Sequence, residues 1–144
     1  MWLLTGIIIL GSASTLASPP AGRIHVEIAN FHNSVGQVGC ALFSSAEGFP
    51  MDLSHAMRQS TGAIRDKRAS CEFDDVAPGT YAIAVLHDEN SDGKIATNFI
   101  GIPTEGVGAS NDAKPSSFSG PKFSDASFQF KGGLLNLQIR VEYY

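Results

Sequence analysis

From Arg23 onward, apolar residues recur at every second position along most of the chain, the period of a strand that buries one face and shows the other to water. In "RIHVEIANF" the apolar face is Ile24, Val26 and Ile28, with His25 and Glu27 pointing the other way; in "GQVGCALFSS" it is Val38, Cys40 and Leu42. "TYAIAVLHD" sets Tyr81, Ile83 and Val85 against Ala82, Ala84 and Leu86, so both faces are expected to be covered and the strand to be central. The end, "LLNLQIRVEYY", alternates Leu135, Leu137, Ile139, Val141 and Tyr143 with polar residues. Together with weaker strands at residues 69–74 and 126–131, the pattern predicts an all-β chain folded as a single antiparallel β-sandwich of about seven strands.

Two segments leave that period. In "EGFPMDLSHAMRQ", Leu53, Ala56 and Met57 stand at helical spacing behind Pro50, which predicts one short helix in a crossover between the sheets. Residues 101–121 carry so many Gly, Pro and Ser residues that no regular structure is expected; loops of that length are commonly functional or disordered.

The chain begins "MWLLTGIIILGSASTLASPPAG", an apolar run followed by small residues with Thr15 and Ala17 in small-x-small spacing. This predicts a signal peptide over residues 1–17 and a periplasmic or secreted protein, the mature chain being a single domain over residues 18–144. The run is shorter than the roughly 20 apolar residues that span a bilayer, and no later stretch is apolar enough, so no membrane span is expected in the mature chain. A net charge of −4, with acids gathered at "CEFDDV" and "HDENSD" and no basic patch, excludes nucleic acid as a partner.

The two cysteines, Cys40 and Cys71, both fall in alternating apolar segments. In an exported chain they are expected to pair as a disulfide; in a reducing compartment they would pack as two small hydrophobes on neighbouring strands. Their number excludes a CxxC redox site and a multi-cysteine zinc site.

Directly after the central strand, "DENSDG" fits D-x-[DN]-x-[DN]-G, with Asp88, Asn90 and Asp92 as oxygen ligands, Gly93 as the turn and Lys94 able to give its backbone carbonyl. Calcium suits such a set because it accepts six to eight oxygens in irregular geometry. The ninth and twelfth loop positions are Ala96 and Phe99, so a weak site is the most this loop supports unless Asn98, Glu105 or Asp112 joins it. The competing reading is a tight turn whose amides are capped by Asp88, Asn90 and Asp92. For catalysis, His87 and Asp88 are adjacent on a strand, point to opposite faces and cannot pair as base and orienting acid; a loop-anchoring hydrogen bond is the expected task of His87. "GIPTEG" places Glu105 in a bent backbone from which it can reach the Asp88 loop or only water.

The run "FDDVAPGTYAIAVLHDENSDGKIATNFIGIPTEGVGASNDA", followed by "GPKFSDASFQF", resembles an uncharacterised bacterial family of exported domains, domain of unknown function 2141. Its pattern runs G-x-Y-A-x-x-x-x-H-D-E-N-x-N-G-K-x-D-T-N-x-x-G-I-P-x-E-G-x-G-x-S-N-N, then P-x-F-x-x-A-x-F. The resemblance implies an exported sandwich of the transthyretin or carboxypeptidase-regulatory type, immunoglobulin-like in outline, and brings no activity. Asp92 stands where the family often has asparagine, Ala96 where it usually has aspartate, and Val107 and Ala109 where aromatic residues are expected. The reading that follows is a non-enzymatic module that binds an unknown ligand or envelope partner through residues 88–111. Its candidate ligand-binding residues are His87, Asp88, Asn90, Asp92, Gly93, Glu105 and Asn111; no cofactor is certain, with calcium the candidate at Asp88, Asn90, Asp92 and Lys94. The alternatives are a metal-assisted hydrolase using Asp88, Glu105 and His87, and a purely structural envelope domain.

Overall fold

In the computed structural model, which describes residues 11–116 and 119–144, the alternating segments form eight strands in two sheets. They are β1 (Gly22–Ala29), β2 (Gln37–Phe43), β3 (Arg58–Ala63), β4 (Ala69–Val76), β5 (Gly79–Asp88), β6 (Val107–Ala109), β7 (Phe128–Phe130) and β8 (Leu134–Arg140). The first sheet has the order β4-β1-β8, the second β3-β2-β5-β6, with β7 pairing the first residues of β5. Residues 1–10, most of the expected signal peptide, lie outside the described residues. Among the described residues, no helix is long and apolar enough to cross a membrane.

The core lies between the sheets and is built from the faces that the alternation marks. Ile24, Val26 and Ile28 of β1, Val38, Cys40 and Leu42 of β2, and Tyr81, Ile83 and Val85 of β5 are all buried there. Each aliphatic side chain taken fully out of water contributes roughly 1.5–3 kcal/mol. A Cys40–Cys71 disulfide joins β2 to β4, and so one sheet to the other, across 31 residues of chain. Closing a loop of that size removes about 3 to 4 kcal/mol of unfolded-chain entropy in the chain-entropy account.

Three expectations need correction. The sandwich is not wholly antiparallel, because β1 and β8 run parallel, from Arg23 beside Leu134 to Ala29 beside Arg140. A strand near the start of the chain and one near its end pair edge to edge, a long-range relation that local periodicity cannot carry. The helix expected over residues 47–59 is absent: Phe49–Pro50 is a cis peptide, a single 3-10 turn covers Leu53–His55 with Asp52 as its cap, and Arg58 already begins β3. That segment joins hydrogen-bonded neighbours in one sheet, since Leu42 faces Arg58, and is not a crossover between sheets. Apolar residues at only three helical positions bury too little surface to outweigh strand pairing on the far side. Finally, residues 101–121 are not wholly irregular, for β6 and a 3-10 turn over Ser110–Asp112 lie within them. A four-residue helix, α1 (Phe123–Ala126), follows and closes over the outer face of β5.

Candidate functional site

β5 is central, as its two apolar faces demand: β2 runs along one edge, while β7 and β6 share the other. Its last two residues, His87 and Asp88, are both buried, at 0% and 1% exposure. Being neighbours on a strand, they serve opposite faces. His87 continues the inner row of Tyr81, Ile83 and Val85, where its ring packs edge-on against Phe31 with centroids 5.1 Å apart. Its Nε2 lies 2.8 Å from the Val35 carbonyl and its Nδ1 2.7 Å from the Tyr143 hydroxyl. A carbonyl only accepts, so Nε2 carries the proton and, in the neutral ring, Nδ1 accepts from Tyr143. The side chain thus ties the loop before β2 and the segment after β8 to the end of β5.

Asp88 continues the outer row. Its Oδ2 accepts from the Gly93 amide at 2.8 Å and from Gln37 Nε2 at 3.2 Å, and its Oδ1 accepts from the Asp92 amide at 3.2 Å. Asp92 in turn caps the Lys94 amide at 2.9 Å, which, with Asn90 beside it, holds the Asp92 carboxyl below the usual carboxylate range. Gly93 takes a positive φ of 71°. The amides of "DENSDG" are thus capped by Asp88 and Asp92 as a tight turn requires. Gly36 explains how the turn is seated: a Cβ there would lie 2.1 Å from the Asp88 carbonyl, so only glycine lets the preceding loop pass this close.

The long loop does reach this turn. Glu105 is 8% exposed, and burial, followed by the charges of Asp88 and Asp92, pushes its carboxyl above the usual range, while the amides of Glu89 and Ala96 pull it down. Among the described residues its Oε2 is a buried oxygen without a hydrogen-bond partner. Asp88, Asp92 and Glu105 are thus neighbours, which no sequence spacing revealed. His87 does not join them, so the three residues of the hydrolase alternative are not assembled on one surface. Asn111 does not join them either. Ala109 is level with Ala84 on β5, and Asn111, two residues further from the Asp88 end, donates instead to the Asp125 and Ser127 carbonyls at 3.2 and 2.9 Å. It fastens α1.

What the sequence reading passed over is the floor beside this turn. The outward faces of β2, β5 and β6 carry Gly39, Ala41, Ala84, Leu86 and Ala109, several of them too small to fill the space above the sheet. Loops supply the walls: Ile95, Ile102 and Pro103 on one side, Pro50, Met51 and Leu53 with Pro115 and Pro121 on another. They enclose an apolar cavity of about 500 Å³, with Asp88 and Gln37 at one end and Lys114, Arg140 and Glu142 at the rim. The signal was legible as a run of Gly and Ala on the second face of two strands. Beyond the wall, Phe99 and Ile100 are exposed at the loop tip, Phe99 almost completely.

A two-sheet β-sandwich with a lined cavity on one outer face is the class that fold and site define. The chain belongs to the family described as "Uncharacterized protein conserved in bacteria (DUF2141)", whose pattern matches residues 26–138. Among curated proteins none matches, and no solved structure does.

Proposed function

We propose that this protein is an exported, non-enzymatic sandwich of the transthyretin type that holds a small uncharged apolar molecule above its five-stranded sheet. The observation that carries the reading is the cavity of about 500 Å³ over Gly39, Ala41 and Ala84, a size and lining within the range of small-molecule sites. Of the charges nearby, Lys114 pairs with Glu142 and Asp88 with Gln37 and backbone amides, while Arg140 donates to Asn30 Oδ1 at 3.4 Å. A charged ligand would have to break those bonds, whereas an uncharged one leaves them intact. The exposed Phe99 and Ile100 favour a binding module over a purely structural domain, in which loop tips would bury their apolar side chains against one another. Export, to the periplasm or the medium, agrees with the disulfide and with the apolar start of the chain.

Calcium enters this reading as a stiffener of the cavity wall. Asp92 and Glu105 carry oxygens beside Asp88, and the buried Glu105 Oε2, which has no hydrogen-bond partner among the described residues, suits a cation better than an apolar neighbour. Asn90 and the Lys94 carbonyl are the other donors of the loop. A melt in chelator and then in millimolar calcium tests this: stabilisation in the parent protein, absent in Asp92→Ala, supports the site, because a ligand of the folded state alone must raise stability. Equal melts in both buffers sink it.

Cavity binding is tested with N-phenylnaphthylamine, an uncharged fluorescent molecule, against Gly39→Leu. A Cβ at Gly39 meets nothing within 4 Å, so the added side chain enters the cavity without displacing the sheet. Saturable binding in the parent protein, lost in the variant at an unchanged melting temperature, is the expected result. Binding that persists in Gly39→Leu, or none in either protein, overturns the reading.

A further inference from the structure

On the inner side of the same strand end lies a second cluster, made of residues that the cavity does not use. We infer that His32, His87 and Glu89 form a site for a divalent transition ion, with zinc as the reference ion. One ligand atom from each lies within 4.8 Å of the others, the one such group of three among the described residues. His32 Nε2 already hydrogen-bonds Glu89 Oε1, and the same oxygen is 3.9 Å from His87 Nδ1. Two imidazole nitrogens and one carboxylate are a donor set that zinc and its neighbours accept, and one that calcium, which prefers oxygen alone, does not.

The surroundings orient these donors as a metal site requires. The bond from His87 Nε2 to the Val35 carbonyl fixes the tautomer and leaves Nδ1, which here accepts from the Tyr143 hydroxyl, 3.9 Å from Glu89 Oε1, the relation that ligating histidines usually have with a carbonyl on their far nitrogen. Asn33 Nδ2 donates to Glu89 Oε1 at 3.0 Å, and the His32 ring lies flat on Tyr143, centroids 4.0 Å apart and 12° from parallel. His87 is fully buried, but half of the His32 side chain and a third of that of Glu89 are exposed, so an ion has a way in. On binding, the ion takes the place of the proton between His32 and Glu89, and His87 Nδ1 exchanges the Tyr143 hydroxyl for the metal. Three protein donors leave one tetrahedral position for water or for the Tyr143 oxygen.

Calorimetric titration of the purified, chelator-treated protein with zinc tests the inference, with cobalt(II) absorption as a second readout of the ligand geometry. One equivalent should bind and give a cobalt spectrum of tetrahedral type. His32→Ala and Glu89→Gln, which leave buried His87 untouched, should each abolish both signals. Asn33→Ala should weaken binding by about tenfold or more, the usual effect of removing a group that orients a ligand, whereas His55→Ala, at an exposed histidine elsewhere, should change nothing. Zinc binding that survives His32→Ala, or no zinc binding by the parent protein, makes the cluster a hydrogen-bonded latch and overturns the assignment. Calcium should not compete, so this outcome is separate from that of the Asp92 test.

Discussion

The two faces of β5 are made from the same ten residues and solve opposite problems. Its inner face, Tyr81, Ile83, Val85 and His87, meets the other sheet and is filled; its outer face is covered by α1 at Ala82 but leaves room further along, where Ala84 and Leu86 lie beside Ala41 and Gly39. Bulk placed on one parity of a strand makes a core, and its absence on the other makes a container. Asp88 and His87 carry the contrast to the strand's end, where one caps a turn beside the cavity and the other locks three segments beneath it.

The inner face is where the largest effects are expected. Ile83→Ala should cost about 2–5 kcal/mol, since Ile83 is fully buried and the cavity left behind adds to the lost transfer energy; urea denaturation measures it. A loss below 1 kcal/mol would mean that the inner face is as loosely filled as the outer one. Replacing Cys40 and Cys71 together by Ala should cost about 3 to 4 kcal/mol, the entropy returned to the unfolded chain, with the native circular dichroism retained. His87→Leu comes next, at roughly 1–3 kcal/mol, because it strands the Val35 carbonyl and the Tyr143 hydroxyl. If His87→Leu is neutral, His87 is not a structural tie.

This contrast also separates what the sequence disclosed from what it did not. Ile24, Val26, Ile28, Val38, Leu42, Ile83 and Val85 were legible because burial on one face writes itself as period two, and Asp88 and Gly93 were legible because a turn demands particular residues at particular offsets. The parallel partnership of β1 and β8 was not, since it joins residues more than a hundred positions apart. The approach of His32 to Glu89 had no signal either, since no local pattern links residues on separate loops, and the spacing left open whether Glu105 meets the Asp88 loop or only water. The helix expected at 47–59 failed because three apolar residues at helical spacing are weak evidence beside a strand pairing that spacing cannot see. The cavity was missed: the outer face of β5 was expected to be covered, and the small residues Gly39, Ala41 and Ala84 do not by themselves say that the loops stand off it.

On the outer face the effects shrink, and one changes sign. Burial, and then the charges of Asp88 and Asp92, raise the Glu105 carboxyl above its ordinary range in the fold. Its contribution to stability is therefore fully present below the unfolded carboxylate pKa, about 4.5, and is lost as pH rises through the higher folded value. Asp92 and Glu89, held low by their hydrogen bonds, have the opposite slope and lose their contribution as pH falls. Glu105→Gln isolates the first effect: in chelator it should raise the melting temperature near neutral pH and leave it unchanged in acid. In calcium the order should reverse, since the variant has lost a ligand charge. A variant less stable than the parent at neutral pH in chelator would show that the Glu105 carboxylate is satisfied without a cation.

The smallest effect expected is the one that most sharply divides the two faces. Ala84 stands opposite Ala41 in the register of β5 and β2, on the floor of the cavity. If that space is open, Ala84→Leu should change stability by less than about 1 kcal/mol, within the range of substitutions that disturb no packing, while abolishing N-phenylnaphthylamine binding. If the loops collapse onto the sheet in solution, the same change overpacks a closed layer and should cost about 1–3 kcal/mol. Denaturation and dye binding on this one variant thus read two independent quantities. Lost binding at unchanged stability means a container, whereas lost stability in a protein that never bound the dye means a second core.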